Sequence, residues 1–201
     1  MPSLRQILRE KRRALTERQQ LFAAHHLAKR LARDLTFLRA QRMAFYLPND
    51  GEIDPSGLMD WSHQMGKEVY LPVMPEGLIS NKHCLLFQSF IPGTTPLVSS
   101  NFGILEPPFV MKDCIKPLML NLVFLPLVGF DRKGNRLGMG GGYYDKTFVR
   151  RPSDFHRPRL IGLAHSIQET EDIVPNPWDI PLDAVYTELE TISFRGTAGA
   201  N

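Results

Sequence analysis

The run Leu122-Val-Phe-Leu-Pro-Leu-Val128 and the glycine-rich stretch Gly129 to Asp145 behind it decide the fold of this 201-residue chain. The apolar run predicts a buried β-strand, the clearest one in the sequence. The glycine-rich stretch has the sequence GFDRKGNRLGMGGGYYD and predicts a loop that leads into a helix over about 142–150. Open α/β sheets bind ligands at such a place, beyond the carboxyl end of a strand and before a helix N-terminus.

Towards the N-terminus, the pattern predicts a strand, a helix and a second strand. The apolar run 43–47 stops at Pro48-Asn-Asp-Gly51, which is typical of a buried strand that enters a loop. Asp54-Pro55 predicts the start of a helix and Gly66 predicts its end. Residues 69–73 are predicted to form the next strand. Such units normally build parallel sheets with right-handed crossovers.

Further strands are predicted at 84–87, 160–164 and 184–187, and most of the Pro- and Gly-rich stretch 91–117 is predicted to be a long, ordered loop. The sequence contains no internal repeat and no clear domain boundary. We therefore expect one domain over residues 1–201, an α/β/α sandwich with a mostly parallel, Rossmann-like sheet. The small-residue tail 196–201 is expected to fray.

The N-terminus is predicted to form basic helices that end near Arg33. Ser3 is a candidate N-cap, and Thr16 with Gln19 resembles a capping box, so the chain opens with two helices or one bent helix. Residues 1–33 hold nine Lys or Arg against two acidic residues, whereas the remainder is mildly acidic. This asymmetry predicts an anionic partner near the helices. Arg12 and Arg13 are interpreted as a solvated helix face.

The composition indicates an ordinary globular protein, with 43% hydrophobic and 22% charged residues. Cys84 and Cys114 have no Cys or His cluster around them, so neither a disulfide framework nor a zinc site is predicted. No signal peptide and no run of about 18 apolar residues is found. We expect a cytoplasmic protein with no membrane partner and, since no coiled-coil seam is present, a monomer.

The glycine-rich stretch has the features of a phosphate-binding loop. Its glycines at 138, 140, 141 and 142 leave backbone amides free to approach an anion, and Arg136 is able to clamp a phosphate. The spacing fits neither a Walker P-loop nor the dinucleotide fingerprint, and glycines alone also suit a tight turn.

Carboxylates flank the glycines. Asp145, at the predicted helix start, is placed to hold Mg²⁺ against nucleotide phosphates, or else it complements the helix dipole. Asp131 is interpreted as the cap of a turn. His165 has no nucleophile beside it in the sequence and is assigned a structural role.

The motif Pro126-x-x-x-Phe-Asp131-x-x-Gly-x-Arg136-Leu-Gly-x-Gly-x-Gly-Tyr-Tyr-Asp145 resembles the signature of the 5-formyltetrahydrofolate cyclo-ligase family, also called methenyltetrahydrofolate synthetase. The resemblance extends over nearly the whole chain, through Arg5 and Arg9, Gly51-Glu52, Phe102 to Pro107 and Val174 to Asp179. It implies that ATP and Mg²⁺ convert 5-formyltetrahydrofolate, including polyglutamylated forms, to 5,10-methenyltetrahydrofolate with release of ADP and phosphate. Nucleic acid is not an expected partner.

The resemblance also implies roles for single residues. ATP is bound by Arg5, Arg9, Arg136, Leu137, Gly138, Met139, Gly140, Gly141, Gly142, Tyr143 and Tyr144. The folate is bound by Leu47, Glu52, Phe102, Met139 and Tyr143. The catalytic residues are Arg136, Tyr144 and Asp145, and the Mg²⁺ ligands are Asp145 and Asp179. Three of these positions have plain structural alternatives, since Leu47 and Phe102 suit a core and Asp179 suits a turn.

Two other functions remain open at this point. The basic N-terminal helices and a pI near 8.9 are compatible with a nucleic-acid-binding or regulatory protein, which would leave the motif from Arg136 to Asp145 without a purpose. An α/β enzyme of the sugar-phosphate isomerase type is the second alternative. The sequence offers no obvious acid/base set for it, and a fold alone does not determine a function.

Overall fold

The computed structural model describes residues 2–74, 84–99, 103, 105–149, 156–171 and 173–194, so the tail at 196–201 that was expected to fray lies outside the described residues. The helices within these ranges are α1 (Leu4–Arg13), α2 (Glu17–Leu31), α3 (Leu35–Arg39), α4 (Ser56–Gln64) and α5 (Tyr143–Thr147). The strands are β1 (Arg42–Ala44), β2 (Glu68–Val73), β3 (Leu86–Ser89), β4 (Val98–Ser99), β5 (Leu105–Glu106), β6 (Cys114–Ile115), β7 (Leu122–Pro126), β8 (Gly129–Phe130), β9 (Arg136–Leu137), β10 (Arg159–Leu163), β11 (Ala184–Tyr186) and β12 (Thr191–Ser193).

Eight of the strands form one sheet in the order β12-β11-β10-β7-β1-β2-β3-β6. The five central strands, from β11 to β2, run parallel to one another. The strands β12, β3 and β6 add antiparallel edges. The predicted α/β fold with a mostly parallel sheet is therefore confirmed.

The central strand β7 explains why its sequence is apolar at successive positions. Leu122 and Phe124 pack into the core on one face of the sheet, and Val123 and Leu125 pack into the core on the other face. Helices α2, α3 and α4 cover the first face. The second face is covered by α5 and by loop residues around Leu182. Because both faces of this strand are buried, its sequence is continuously apolar and does not alternate between apolar and polar residues.

The edges of the sheet depart most from the predictions. The strand expected at 84–87 is β3, which begins two residues later and pairs antiparallel with β2. The stretch 91–117, expected to be mostly loop, contains β4, β5 and β6, and β12 was not predicted. These strands are two to three residues long, which is too short to show a hydrophobic period, and β6 pairs with the distant strand β3.

The N-terminal segment forms two separate helices. Both begin with a capping box, formed by Ser3 with Gln6 and by Thr16 with Gln19. The N-cap at Ser3 and the capping box at Thr16 were predicted, whereas the partnership of Ser3 with Gln6 was not. Helix α1 packs on the start of the glycine-rich stretch, because Gly129 has no side chain. A Cβ atom at that position would stand 2.6 Å from Leu8 Cδ1. The arginines of α1 consequently lie at the carboxyl ends of the parallel strands.

The predicted helix over 142–150 is shorter in the structure. Helix α5 ends at Thr147, because Phe148 leaves helical dihedral angles and packs against the ring of Phe87. None of the helices in the described ranges is long and apolar enough to cross a membrane.

Candidate functional site

A cleft of about 1390 Å³ opens beside the carboxyl ends of β1, β2 and β7. The predicted site residues that line it are Arg5, Leu47, Glu52, every residue from Arg136 to Asp145, and Asp179. Two predicted residues are not among them. Arg9 lies next to the cleft on Asp50, and Phe102 lies outside the described residues. The fold thus gathers residues more than 170 positions apart around one cavity.

The glycine-rich stretch is built from a hairpin and a loop. Strands β8 and β9 pair, and Asp131 closes their turn by accepting hydrogen bonds from the backbone N–H groups of Lys133 and Asn135. The interpretation of Asp131 as a turn cap is therefore confirmed. After β9, Gly140 (φ 101°) and Gly142 (φ 66°) adopt left-handed conformations that favour glycine, and Gly142 is the N-cap of α5.

Asp145 is held by an arginine and a backbone amide. Its Oδ1 accepts a hydrogen bond from Arg136 Nη2 at 2.5 Å and another from the N–H of Ile180 at 3.1 Å. The Nε of Arg136 is buried and has no hydrogen-bond partner within the described part of the chain. A buried unpaired donor is rare, and at the edge of a cleft it suits an anionic ligand.

Asp179 lies next to Ile180 and also lines the cleft. Its Oδ2 accepts hydrogen bonds from the N–H (2.8 Å) and the Nδ2 (3.2 Å) of Asn176, so the side chain anchors a turn. No group of three or more His, Cys, Asp or Glu able to hold a metal occurs in the described ranges. Mg²⁺ usually binds through one or two carboxylates together with water and substrate phosphates, and Asp145 with Asp179 would fit that mode.

Arg5 connects α1 to the glycine-rich stretch. Its Nε donates a hydrogen bond of 2.8 Å to the carbonyl oxygen of Gly138. The guanidinium also lies near Gly140, where a Cβ atom would stand 3.9 Å from Arg5 Cζ. A positive charge from the N-terminal helix is thus supplied to the loop.

The other arginines of α1 converge on Asp50. Arg9 Nε and Arg12 Nη2 each lie 2.7 Å from Asp50 Oδ2, and Arg13 pairs with Oδ1. Burial raises the pKa of Asp50, but the hydrogen bonds from Arg9 and Arg13 and the charge of Arg12 outweigh it and lower the pKa to about 2. The interpretation of Arg12 as part of a solvated face is wrong, since its side chain is 0% exposed. The side chain of Arg12 is turned inward because it pairs with the carboxylate of Asp50.

Glu52 stands at the opposite end of the same turn, with its side chain 11% exposed. Its Oε2 accepts a hydrogen bond from the N–H of Asn49 at 3.1 Å. Burial raises the pKa of Glu52 to about 7, although the bond from Asn49 and the charge of Arg12 act against the increase. Tyr144 lines the same cleft, and its pKa is raised by burial and, to a smaller extent, by the charge of Glu52.

The tyrosines of α5 depend on the glycines before them. A Cβ atom at Gly141 would stand 2.5 Å from Tyr143 Cε2, so the Tyr143 ring lies directly on that glycine. His165 does not line the cleft. It is buried, it hydrogen-bonds the backbone of Gly51, and burial lowers its pKa. A structural role for His165 agrees with this placement.

Sequence reasoning missed several residues of the cleft. Trp178, which is 66% exposed, and Val174 form an apolar part of the wall beside Asp179. Asn49 and Tyr46 line the cleft directly after β1. Their place in the sequence was the signal that could have found them. Tyr46 and Asn49 follow a predicted strand, and Trp178 directly precedes the predicted metal ligand Asp179.

Comparison with known proteins gives consistent matches. The profile of the 5-formyltetrahydrofolate cyclo-ligase family matches residues 1–188. The 5-formyltetrahydrofolate cyclo-ligase of Haemophilus influenzae is 36% identical over 179 residues, which cover 89% of this chain and 92% of that protein. The Escherichia coli K12 protein of the same name is 36% identical over 181 residues, covering 90% and 96%.

Two solved structures have the same fold. The NMR structure of Aquifex aeolicus 5,10-methenyltetrahydrofolate synthetase matches with a TM-score of 0.77 and 27% identity, covering 98% of this chain and 94% of that one. A 5,10-methenyltetrahydrofolate synthetase from Mycoplasma pneumoniae matches with a TM-score of 0.67 and 22% identity, covering 92% and 96%. The second likeness concerns the fold alone.

Proposed function

Because the chain belongs to the 5-formyltetrahydrofolate cyclo-ligase family, we propose that it uses ATP and Mg²⁺ to convert 5-formyltetrahydrofolate to 5,10-methenyltetrahydrofolate, with release of ADP and phosphate. The observation that carries the proposal is the single cleft in which Arg5, the glycine-rich stretch, Asp145 and Glu52 meet. One side of it has the donors that an anionic nucleotide needs, and the other has a buried carboxyl group beside apolar residues.

The reaction needs activation of a formyl oxygen, which is a poor leaving group. In the first proposed step, this oxygen attacks the γ-phosphorus of ATP. The bond from that phosphorus to the β,γ-bridging oxygen breaks, and ADP leaves. The neighbouring folate amine then attacks the activated formyl carbon. Its proton is lost, the carbon–oxygen bond breaks, and inorganic phosphate departs as the ring closes. Phosphoryl transfer of this kind depends mainly on positioning and on neutralisation of charge.

The nucleotide side of the cleft comprises α1 and the glycine-rich stretch. Arg5 and Arg136 neutralise phosphate charge, and the buried Nε of Arg136 supplies a donor without another partner among the described residues. The backbone from Leu137 to Gly142 approaches the phosphates, and Tyr144 adds a hydroxyl group. Arg9 is 29% exposed and paired with Asp50, so it has to turn from that carboxylate to reach a phosphate.

Mg²⁺ would be held by Asp145 and Asp179, where it would neutralise charge on the nucleotide phosphates. The bonds made by Asp145 engage Oδ1 and those made by Asp179 engage Oδ2, so each residue has a second oxygen for the ion. Arg136 fixes the orientation of Asp145.

The folate side of the cleft is formed by Glu52, Leu47, Met139 and Tyr143, with Phe102 as a further predicted contact. The carboxyl group of Glu52 suits the donor-rich edge of a pterin, and Leu47 and the Tyr143 ring suit its flat faces. Tyr144 and Glu52 line the same cleft. A nucleotide and a folate bound together in this cleft would bring the formyl group close to the γ-phosphate.

The activity is tested by mixing the protein with Mg²⁺, ATP and 5-formyltetrahydrofolate and following the absorbance of the methenyl product. We expect product only when all three are present, and about one phosphate for each methenyl group formed. Asp145→Asn removes the charge needed by Mg²⁺ and should lower kcat at least about 10²-fold, in the range lost when a transition-state charge contact is removed. A folded wild-type protein that forms no product, or an Asp145→Asn variant with wild-type turnover, would be incompatible with the proposal.

A further inference from the structure

Arg12 lies behind the cleft and does not line it. Its side chain is buried in a helix whose sequence predicts a solvated basic face. Removing a guanidinium from water is costly unless its charge is paired and its N–H groups are hydrogen-bonded. The partners of Arg12 therefore indicate what this buried charge holds in place.

The planar guanidinium joins two loops at the carboxyl ends of neighbouring strands. Nε donates to the carbonyl oxygen of Asp50 at 2.9 Å, and Nη2 lies 2.7 Å from Asp50 Oδ2. Nη1 donates to the carbonyl oxygen of Leu127 at 2.9 Å and lies 3.8 Å from Glu52 Oε1. Arg12 thus connects the turn after β1 with the segment that leads from β7 into the glycine-rich stretch.

The turn at residues 49–52 needs such support because of its backbone conformation. Asp50 has a φ of 54°, in the left-handed region that residues other than glycine seldom adopt, and Gly51 follows with a φ of 78°. The turn also packs tightly on α1, since a Cβ atom at Gly51 would stand 3.3 Å from the carbonyl oxygen of Arg12. Arg12 binds both the carbonyl and the carboxylate of Asp50, the residue in the unfavourable conformation.

We propose that Arg12 is a positioning residue for the folate side of the cleft. It fixes the turn 49–52 against Leu127, and the turn presents the carboxyl group of Glu52 to the pterin. Arg12 itself touches neither substrate. This inference rests on the proposed function, which assigns Glu52 to the folate.

Lysine is not an adequate replacement at this position. Its ammonium group keeps the charge but lacks the fixed fork that binds the carbonyls of Asp50 and Leu127 together with the carboxylate. A lysine variant therefore separates the geometry of the guanidinium from its charge.

The test is steady-state kinetics of Arg12→Lys and Arg12→Met, with each substrate varied in turn. We expect the KM for 5-formyltetrahydrofolate to rise about tenfold or more in both variants. A displacement of about 1 Å in a positioned group can lower the efficiency of an enzyme by up to about 10²-fold. The KM for ATP should rise by a clearly smaller factor, since the contact of Arg5 with the loop is retained. A rise in the KM for folate that exceeds any rise in the KM for ATP distinguishes a positioning role from a general loss of structure.

The matched control is Arg157→Met. Arg157 Nη2 lies 2.9 Å from Oδ1 of the buried Asp183, and neither residue lines the cleft. This variant also loses an ion pair to a buried carboxylate, so its Tm should fall while both KM values stay at the wild-type level.

An unchanged folate KM in both Arg12 variants, or equal increases in the KM for both substrates, would overturn the role of Arg12. If Arg12→Met does not fold, Arg12→Lys and Asp50→Asn decide the question, and each must raise the folate KM. The proposed function is contradicted by a different result, which is the absence of turnover in the wild-type protein. Wild-type turnover with an unaltered folate KM in the variants contradicts only the positioning role.

Discussion

Glu52 combines burial with nearby charges of both signs. Arg12 stands 3.8 Å from its carboxyl group, and Asp50, Tyr46 and Tyr144 are the other titratable groups that interact with it. Burial is the largest of these influences and brings the pKa of Glu52 to about 7. Both protonation states are therefore populated near neutral pH. A carboxyl group in this condition is able either to accept from a pterin N–H or to donate to a pterin acceptor.

The raised pKa of Glu52 predicts a pH dependence of stability. Between its ordinary value near 4.5 and the folded value of about 7, the folded protein binds more protons than the unfolded chain, so stability must fall as the pH rises. The full effect is about 3 kcal/mol as an upper bound, at 1.36 kcal/mol per pKa unit. Chemical unfolding of the wild type and Glu52→Gln at pH 5 and pH 8 should show a smaller loss of stability in the variant.

His165 affects the pH dependence of stability with the opposite sign, because burial lowers its pKa and the unfolded chain then binds more protons at this residue. It is present in both proteins, so the difference between them isolates Glu52. Identical losses of stability between pH 5 and pH 8 in wild type and Glu52→Gln would show that the pKa of Glu52 is not raised.

Among the elements, α1 and the glycine-rich stretch form one unit. Leu8 packs on Gly129, Arg5 binds the carbonyl of Gly138, and the remaining arginines of α1 hold the turn after β1. The unit reaches from the proposed nucleotide side of the cleft to the proposed folate side. Within it, Gly141 lets the Tyr143 ring lie directly on the loop.

The contact between Gly141 and Tyr143 predicts the effect of one added methyl group. Gly141→Ala places a Cβ atom 2.5 Å from Tyr143 Cε2, so the ring must move from its position over the proposed folate site. We expect kcat/KM for 5-formyltetrahydrofolate to fall about tenfold or more, because catalysis is sensitive to small displacements at the substrate. Steady-state kinetics at varied folate concentration measure this change.

Gly57→Ala provides the control for Gly141→Ala. A Cβ atom at Gly57, within α4, meets nothing within 4 Å, so kinetics should not change and stability should stay equal or increase slightly. If Gly141→Ala retained wild-type kcat/KM, the Tyr143 ring would have no part in binding the folate.

For the whole molecule, the parallel sheet is what brings the site together. The turn with Glu52 follows β1, the glycine-rich stretch follows β7, and these two strands are neighbours in the sheet. Two parallel neighbours direct their following loops to one edge, where ligands bind in open α/β sheets. Helix α1 closes the same edge from the N-terminus.

Sequence patterns predicted the central part of this arrangement. The apolar run 122–128 and the strand–helix–strand unit at 43–73 were sufficient for the parallel sheet, and the glycine motif indicated a stretch, Arg136 to Asp145, that lines the cleft. Patterns did not predict β12 or the short strands between 91 and 117, because runs of two to three residues are too short to show a hydrophobic period. The burial of Arg12 was missed because its partners lie 38 and 115 residues away.

Transfer of the formyl oxygen to phosphate tests the proposed chemistry most directly. The protein would convert 5-formyltetrahydrofolate labelled with ¹⁸O in the formyl group, with unlabelled ATP and Mg²⁺, and the released phosphate would be analysed by mass spectrometry. We predict that the label is found in inorganic phosphate, because the formyl oxygen leaves bound to the former γ-phosphorus of ATP. Methenyl product accompanied by unlabelled phosphate, with ¹⁸O in the water, would contradict activation by phosphorylation in this cleft.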